Sequence, residues 1–254
     1  MLGFDFPKMS LSEAYIWQGE MAKYLGERYG KTVGYKTGGH NVGPTFPTFL
    51  EGGIRGLILE KMLLPSNSSI RVNSTVRGFL EADFAFRVKD DSINKAENEM
   101  ELLAGLDAII PFAEIPDPYY EEGTRTINGT VASNMGSRFS FIGAPVIIKP
   151  TESWINKINN FTFAVHNEEG VLIENGGIKG WYKPLEVVKW LRDHLVSSGI
   201  NLKAGDILSL GNIGIIRQLH QNSPRGPAYS GNSFTLSYYG LSDEPMAVTI
   251  NIDR

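Results

Sequence analysis

The sequence predicts a strand-rich α+β fold with a few flanking helices, built as one domain. Twenty-eight glycines and thirteen prolines in 254 residues mark many turns, which suits strands better than a helical bundle. A hydrophobic content of 42% beside 20% charged residues is enough to form a sizeable core. No internal repeat, low-complexity tract or linker divides the chain, so 1–254 reads as a single domain, with 1–30 a helical segment packed on it.

The elements follow in order. Ser10 and Glu13 form a capping box, and Tyr15, Ala22 and Leu25 recur on one helical face, so a helix should run from Ser10 to just before Gly30. Lys31 to Lys36 then leads into GGHNVGPTFPTFLEGG, too rich in Gly and Pro for regular structure and long enough to serve as a lid or as a plain surface loop. Strand patterning begins at Ser69 and lasts to Val88. A second helix is expected over Ser92 to Leu103, with Ile93, Ala96, Met100 and Leu103 as its apolar stripe. Strands are expected at Asp107–Ile115, Arg138–Ile142, Asn160–Asn167 and Val171–Asn175. A third helix should start at Pro184 and stop at Gly199, before strands at Asp206–Leu210, Ser233–Tyr239 and Met246–Ile252.

Several function classes are excluded by composition. A net charge of -4 without a Lys/Arg run argues against nucleic acid as a partner. The absence of cysteine rules out disulfides, thiolate zinc sites and a Cys nucleophile. No stretch approaches the roughly 18 apolar residues needed to cross a bilayer, and MLGFDFPKMS lacks the features of a signal peptide. A cytoplasmic globular protein is the expectation.

The chemistry-bearing residues cluster in GFLEADFAFRV. On a strand, Leu80, Ala82, Phe84, Phe86 and Val88 face one way, and Glu81 and Asp83 face the other. Two carboxylates roughly 7 Å apart either form the wet face of a half-buried strand, the simpler reading, or share a cation. Glu114 ends an apolar run, Ala108 to Ala113, where a carboxylate needs a partner. Were the three to meet, an all-oxygen set would suit Mg²⁺ or Mn²⁺ rather than Zn²⁺.

Taken in order, AYIWQ, GKTVGYKTG, GFLEADFAFRV, IPFAEIPD, VASNMGSRFSFIGAP and LKAGDILSLGN resemble the fumarylacetoacetate hydrolase superfamily, in particular its 2-keto-4-pentenoate hydratase and oxalocrotonate decarboxylase branch. The resemblance runs from about Ala14 to the C-terminus. It implies a mixed β-roll or barrel-like core with flanking helices, and a divalent metal, Mg²⁺ or Mn²⁺, held by Glu81, Asp83 and Glu114. It further implies a catalytic Lys36, a substrate-binding Asn134, a small 2-oxo acid substrate and a homo-oligomer. A 2-oxo acid can chelate such a cation, which stabilises the enolate formed at the adjacent carbon. Lys36 would stabilise that charge or move a proton, since a lysine near a cation has reason to deprotonate.

The chain also departs from that pattern. Where the hydratases carry an acid before a glycine, GGIRGLILEKM has Ile54 and Arg55. Gly136 stands where a small hydroxyl residue is usual, and the 211–231 segment is longer, bringing Arg217, His220 and Arg225. His40 and His220 have no assigned role. The leading expectation is a metal-dependent, hydratase-like lyase. A decarboxylase, an acylpyruvate-type hydrolase or tautomerase, and a non-catalytic partner subunit are the alternatives.

Overall fold

Helix α1 (Leu11–Tyr29) starts where its capping box places it: the Ser10 hydroxyl accepts from the Glu13 N–H at 3.3 Å, and the Glu13 carboxylate accepts from the Ser10 N–H at 2.8 Å. Its fully buried positions are Ala14 and Gln18, while the expected stripe residues Tyr15, Ala22 and Leu25 are only half-buried. The Gln18 amide donates to the Arg55 and Val131 carbonyls at 2.9 Å each, so a polar side chain anchors the helix. The computed structural model describes residues 9–39, 53–118, 126–180, 182–220 and 226–254; His40, Arg225 and nearly all of the 38–53 loop expected as a lid lie outside them.

After α1 come β1 (Thr32–Gly38), β2 (Ile54–Leu59), β3 (Leu63–Pro65), β4 (Ser69–Arg71) and β5 (Phe79–Val88). Next are α2 (Glu99–Ala104), β6 (Leu106–Ile115), α3 (Ile127–Ala132), β7 (Phe139–Ile142) and β8 (Val146–Ile147). The chain continues through α4 (Glu152–Ile158), β9 (Thr162–Asn167), β10 (Leu172–Gly177) and α5 (Pro184–Ser197). It ends with β11 (Ile207–Ser209), β12 (Arg217–Gln218), β13 (Ser233–Tyr239) and β14 (Met246–Asp253).

The helix expected over Ser92–Leu103 is broken in two. Asp90 caps a short 3₁₀ turn at Asp91–Lys95, Ala96 is extended with ψ 129°, and Asn98 caps α2 by accepting from the Glu101 N–H at 3.0 Å. Two local caps compete with one continuous helix, and the caps win. Ile93, Ala96 and Leu103 are buried all the same. Strand β2 was not anticipated: IRGLIL is buried at every position, so it lacks the alternation that marks a half-exposed strand.

A large curled sheet runs in the order β2-β1-β11-β5-β6-β7-β3, with β12 against β5 and β8 against β6; a second sheet runs β10-β9-β13-β14-β4. Strand β5 is buried on both faces, so the wet-face reading of Glu81 and Asp83 fails. Leu80, Ala82, Phe84, Phe86 and Val88 enter the main core, where Phe84 meets Phe161 at 5.0 Å and Tyr182 at 5.8 Å between ring centroids. The other face carries a smaller apolar cluster of Ile58, Ala85, Ala108, Ile110, Phe112 and Ile207. The acidic residues lie beside that cluster.

Candidate active site

Register explains how distant residues meet. Lys36 on β1 pairs with Gly56 on β2 and Ser209 on β11; Ser209 pairs with Ala85 on β5; Glu81 on β5 pairs with Glu114 on β6. Paired residues share a face, and so do residues two apart along a strand. Lys36, Ser209, Asp83, Glu81 and Glu114 therefore project from one face of the sheet. Gly56 leaves room for this: a Cβ there would lie 3.1 Å from Lys36 Cγ and 3.2 Å from Asn134 Oδ1.

Lys36, Asp83, Glu114 and Ser209 are all buried, at 3%, 0%, 2% and 0% exposure, so every charge needs a partner. The Lys36 ammonium donates to Glu114 Oε2 in a short ion pair. Ser209 Oγ lies 2.6 Å from Asp83 Oδ2 and 3.1 Å from Glu114 Oε1, where its hydroxyl donates to the two carboxylates. Asp83 also accepts from the Phe84 N–H at 2.6 Å and the Gly211 N–H at 3.2 Å. From the opposite face the Tyr238 hydroxyl reaches the Asp83 and Phe112 carbonyls and accepts from the Phe112 N–H at 3.3 Å, pinning β5 to β6.

The electrostatics follow from that packing. Burial, and after it the Glu114 carboxylate, push the Asp83 carboxyl well above the usual carboxylate range, against its hydrogen bonds from Ser209 and Phe84. Burial alone would lower the Lys36 ammonium. Glu114, Glu81 and Asp83 together outweigh it and hold Lys36 above the ordinary lysine range, so it stands in the site as an ammonium.

Asn134 lies close to Lys36 but is engaged by the backbone. Its Oδ1 accepts from the Leu57 N–H at 2.6 Å and its Nδ2 donates to the Leu57 carbonyl at 2.9 Å, clamping β2. Asn134, Met135 and Gly136 all have positive φ, 55°, 56° and 66°. A Cβ on Gly136 would come within 3.1 Å of Pro118 N, so the tight turn leaves little room for a larger residue.

Ile54 is buried with Ala14, Val131 and Ala132 and pairs with Gly38, on the Lys36 face. Arg55 projects to the opposite face. Its Nε donates to His194 Nδ1 at 3.1 Å, its Nη1 to Gln18 Oε1 at 3.1 Å, and its guanidinium lies 4.5 Å from the Tyr15 ring centroid. Arg217 pairs with Glu174 at 3.2 Å, and His220 bonds the Thr75 hydroxyl at 2.9 Å. Both have structural partners.

The donor chemistry fits a hard divalent cation. Three carboxylates surround one ammonium, an acidic excess that a divalent ion would balance, and all their donors are oxygen. Among the described residues, no three carboxylate or histidine side chains are already drawn into one coordination set. The Lys36 ammonium holds Glu114, and Ser209 links Glu114 to Asp83. Ser209 escaped the sequence reading; its only mark was a hydroxyl inside the apolar run ILSL.

A curled sheet with these flanking helices is the fold of the fumarylacetoacetate hydrolase superfamily, as the motif order implied. A yeast fumarylacetoacetate hydrolase family protein superposes with a TM-score of 0.57 at 14% identity, over 87% of this chain and 92% of that one. More particularly, the chain resembles 4-oxalocrotonate decarboxylase from Pseudomonas putida G7, solved with magnesium and adipate, at a TM-score of 0.78 and 21% identity over 98% of this chain and 88% of that one. That enzyme has also been solved with calcium and acetate. In sequence the chain is 24% identical over 239 residues to 4-oxalocrotonate decarboxylase from Pseudomonas putida, spanning 93% of this chain and 85% of that protein. It is 22% identical over 190 residues to 2-keto-4-pentenoate hydratase from Burkholderia vietnamiensis, spanning 72% and 71%. No family model matches the chain. No helix among the described residues is long and apolar enough to cross a membrane.

Proposed function

We propose that the chain is a divalent-metal-dependent lyase acting on a small 2-oxo or 2-hydroxydienoate acid, with decarboxylation its leading reaction and hydration the second reading. The observation that carries this is the buried Lys36 ammonium against Glu114, on one sheet face with Glu81 and Asp83. Glu81, Asp83 and Glu114 would hold the cation, which when bound supplies a Lewis acid for the substrate's oxo and carboxylate oxygens. Lys36 supplies a fixed positive charge, and a proton, beside the oxo oxygen that becomes negative as a second carboxylate, conjugated with the oxo group, leaves as CO₂. Ser209 and the Gly211 and Phe84 N–H groups keep Asp83 in place.

Decarboxylation needs an electron sink and a proton donor, and the described site offers both. Hydration needs in addition a group that positions water. Ile54 puts an apolar side chain on the Lys36 face where the hydratases carry an acid, which weighs against hydration as the principal activity. Similarity to the decarboxylase over nearly the whole chain supports the same order.

The test is a panel of 2-oxo and 2-hydroxydienoate acids assayed with metal-stripped protein and after adding Mg²⁺ or Mn²⁺. CO₂ release and ultraviolet loss of the conjugated substrate separate decarboxylation from hydration. Metal-dependent CO₂ release is expected. A folded, metal-loaded protein that turns over no member of the panel would establish a binding subunit instead.

A further inference from the structure

We infer that Ser209 is a positioning residue for the cation site, holding the Asp83 and Glu114 carboxylates at a fixed separation; this rests on the reading of Glu81, Asp83 and Glu114 as the ligands. Ser209 is wholly buried, and β11 is held between β1 and β5 by its pairings with Lys36 and Ala85. Its one hydroxyl proton faces two carboxylate oxygens, 2.6 Å away on Asp83 and 3.1 Å away on Glu114. Both acids are buried, so each of those oxygens needs a donor.

The other donors show why this hydroxyl is the link. Asp83 Oδ1 is held by the Phe84 N–H, and Oδ2 by the Gly211 N–H at the longer distance of 3.2 Å. Glu114 Oε2 is held by Lys36. Among these contacts, only Ser209 touches both acids. Asp83 Oδ1 and Glu114 Oε1 each keep a second lone pair, so the hydroxyl can hold its contacts when a cation binds the pair. Neighbours that orient metal ligands in this way typically change metal affinity by about 10–100-fold when removed.

The experiment is calorimetric titration of Mg²⁺ into metal-stripped wild-type, Ser209→Ala and Ser209→Thr proteins, without substrate. The Ala variant should bind Mg²⁺ about 10–100-fold more weakly, and the Thr variant, which keeps the hydroxyl, should recover most of the affinity. Circular dichroism checks the fold. If Ser209→Ala does not fold, Ser209→Cys, with a similar shape and a weak donor, carries the same expectation. An Ala variant that binds as tightly as wild type overturns the positioning role and leaves the ligand reading standing. A Thr variant as weak as Ala shows that shape rather than the hydroxyl matters, which also overturns it. Wild-type protein that binds no Mg²⁺ overturns the role and the ligand reading together.

Discussion

Replacing Asp83 with Asn separates a site built for a cation from one built for stability. The Asp83 and Glu114 oxygens that share the Ser209 hydroxyl lie no more than 5.7 Å apart, the sum of their 2.6 and 3.1 Å distances to it. At that separation, two unit charges in a medium of effective dielectric near 20 repel by about 3 kcal/mol. Asp83→Asn removes that cost, which falls on the wild type as repulsion where Asp83 is ionised and as its raised pKa where it is not. It also weakens one charge-assisted hydrogen bond, from Ser209 or Gly211, worth about 1.5–3 kcal/mol. The two effects nearly cancel, with a small surplus toward the variant. The metal-free variant should therefore melt at the wild-type temperature or a few degrees above it. Magnesium at about 100 times its Kd should stabilise wild type by about 2.7 kcal/mol and leave Asp83→Asn unmoved. Differential scanning calorimetry of both proteins, with EDTA and with Mg²⁺, measures all four states. A metal-free variant melting well below wild type would refute the argument, because Asp83 would then be stabilising the fold; so would equal stabilisation of both proteins by Mg²⁺.

Three further outcomes follow from the same geometry. Lys36→Ala should cut turnover by about 10²–10⁴-fold, while Mg²⁺ binding stays equal or tightens because Glu114 loses its competing ammonium; a parallel loss of Mg²⁺ affinity in calorimetry would show that Lys36 supports the ligands instead. Ile54→Asp places an acid diagonal to Lys36 on the same face, and should raise hydration relative to CO₂ release in the product ratio, at some cost in melting temperature from burying a carboxylate beside Ala14 and Val131. His194 accepts from Arg55 through Nδ1, and burial followed by the Arg55 charge lowers its pKa below the usual value of about 6.5. Its neutral form is therefore favoured in the folded state, so its contribution is complete above about pH 6.5 and declines as pH falls from there toward its folded pKa. A melting-temperature profile showing that decline in wild type, and a smaller one in His194→Gln, is the expected result.

Local signals carried much of the architecture. The Ser10–Glu13 capping box, the Pro184 start of α5 and the period-two faces of β5 are all visible within a few residues. The broken helix near Ala96 and the unforeseen β2 show where local signals fail: Asn98 caps a new helix inside the apolar stripe, and a strand buried on both faces has no alternation to read. The resemblance implies Asn134 for substrate; the structure puts its amide on the Leu57 backbone, a contact that depends on how β2 meets the turn after α3.

The candidate site itself could be read only in parts, for a physical reason. Glu81 and Asp83 are a pair within one strand, so periodicity alone reveals them. Their company is decided by strand order. β1 lies beside β11, and β11 beside β5, which brings Lys36 against Ser209 across most of the chain length. No spacing in the sequence encodes that adjacency. The same register gives Ile54 more interest than its apolar type suggests: it stands on the Lys36 face, one pleat from Gly56, packed with Ala14 and Val131. Under the reading proposed above, Glu81, Asp83, Glu114 and Lys36 would set which acids this sheet activates, and Ile54→Asp tests what the neighbouring β2 position adds.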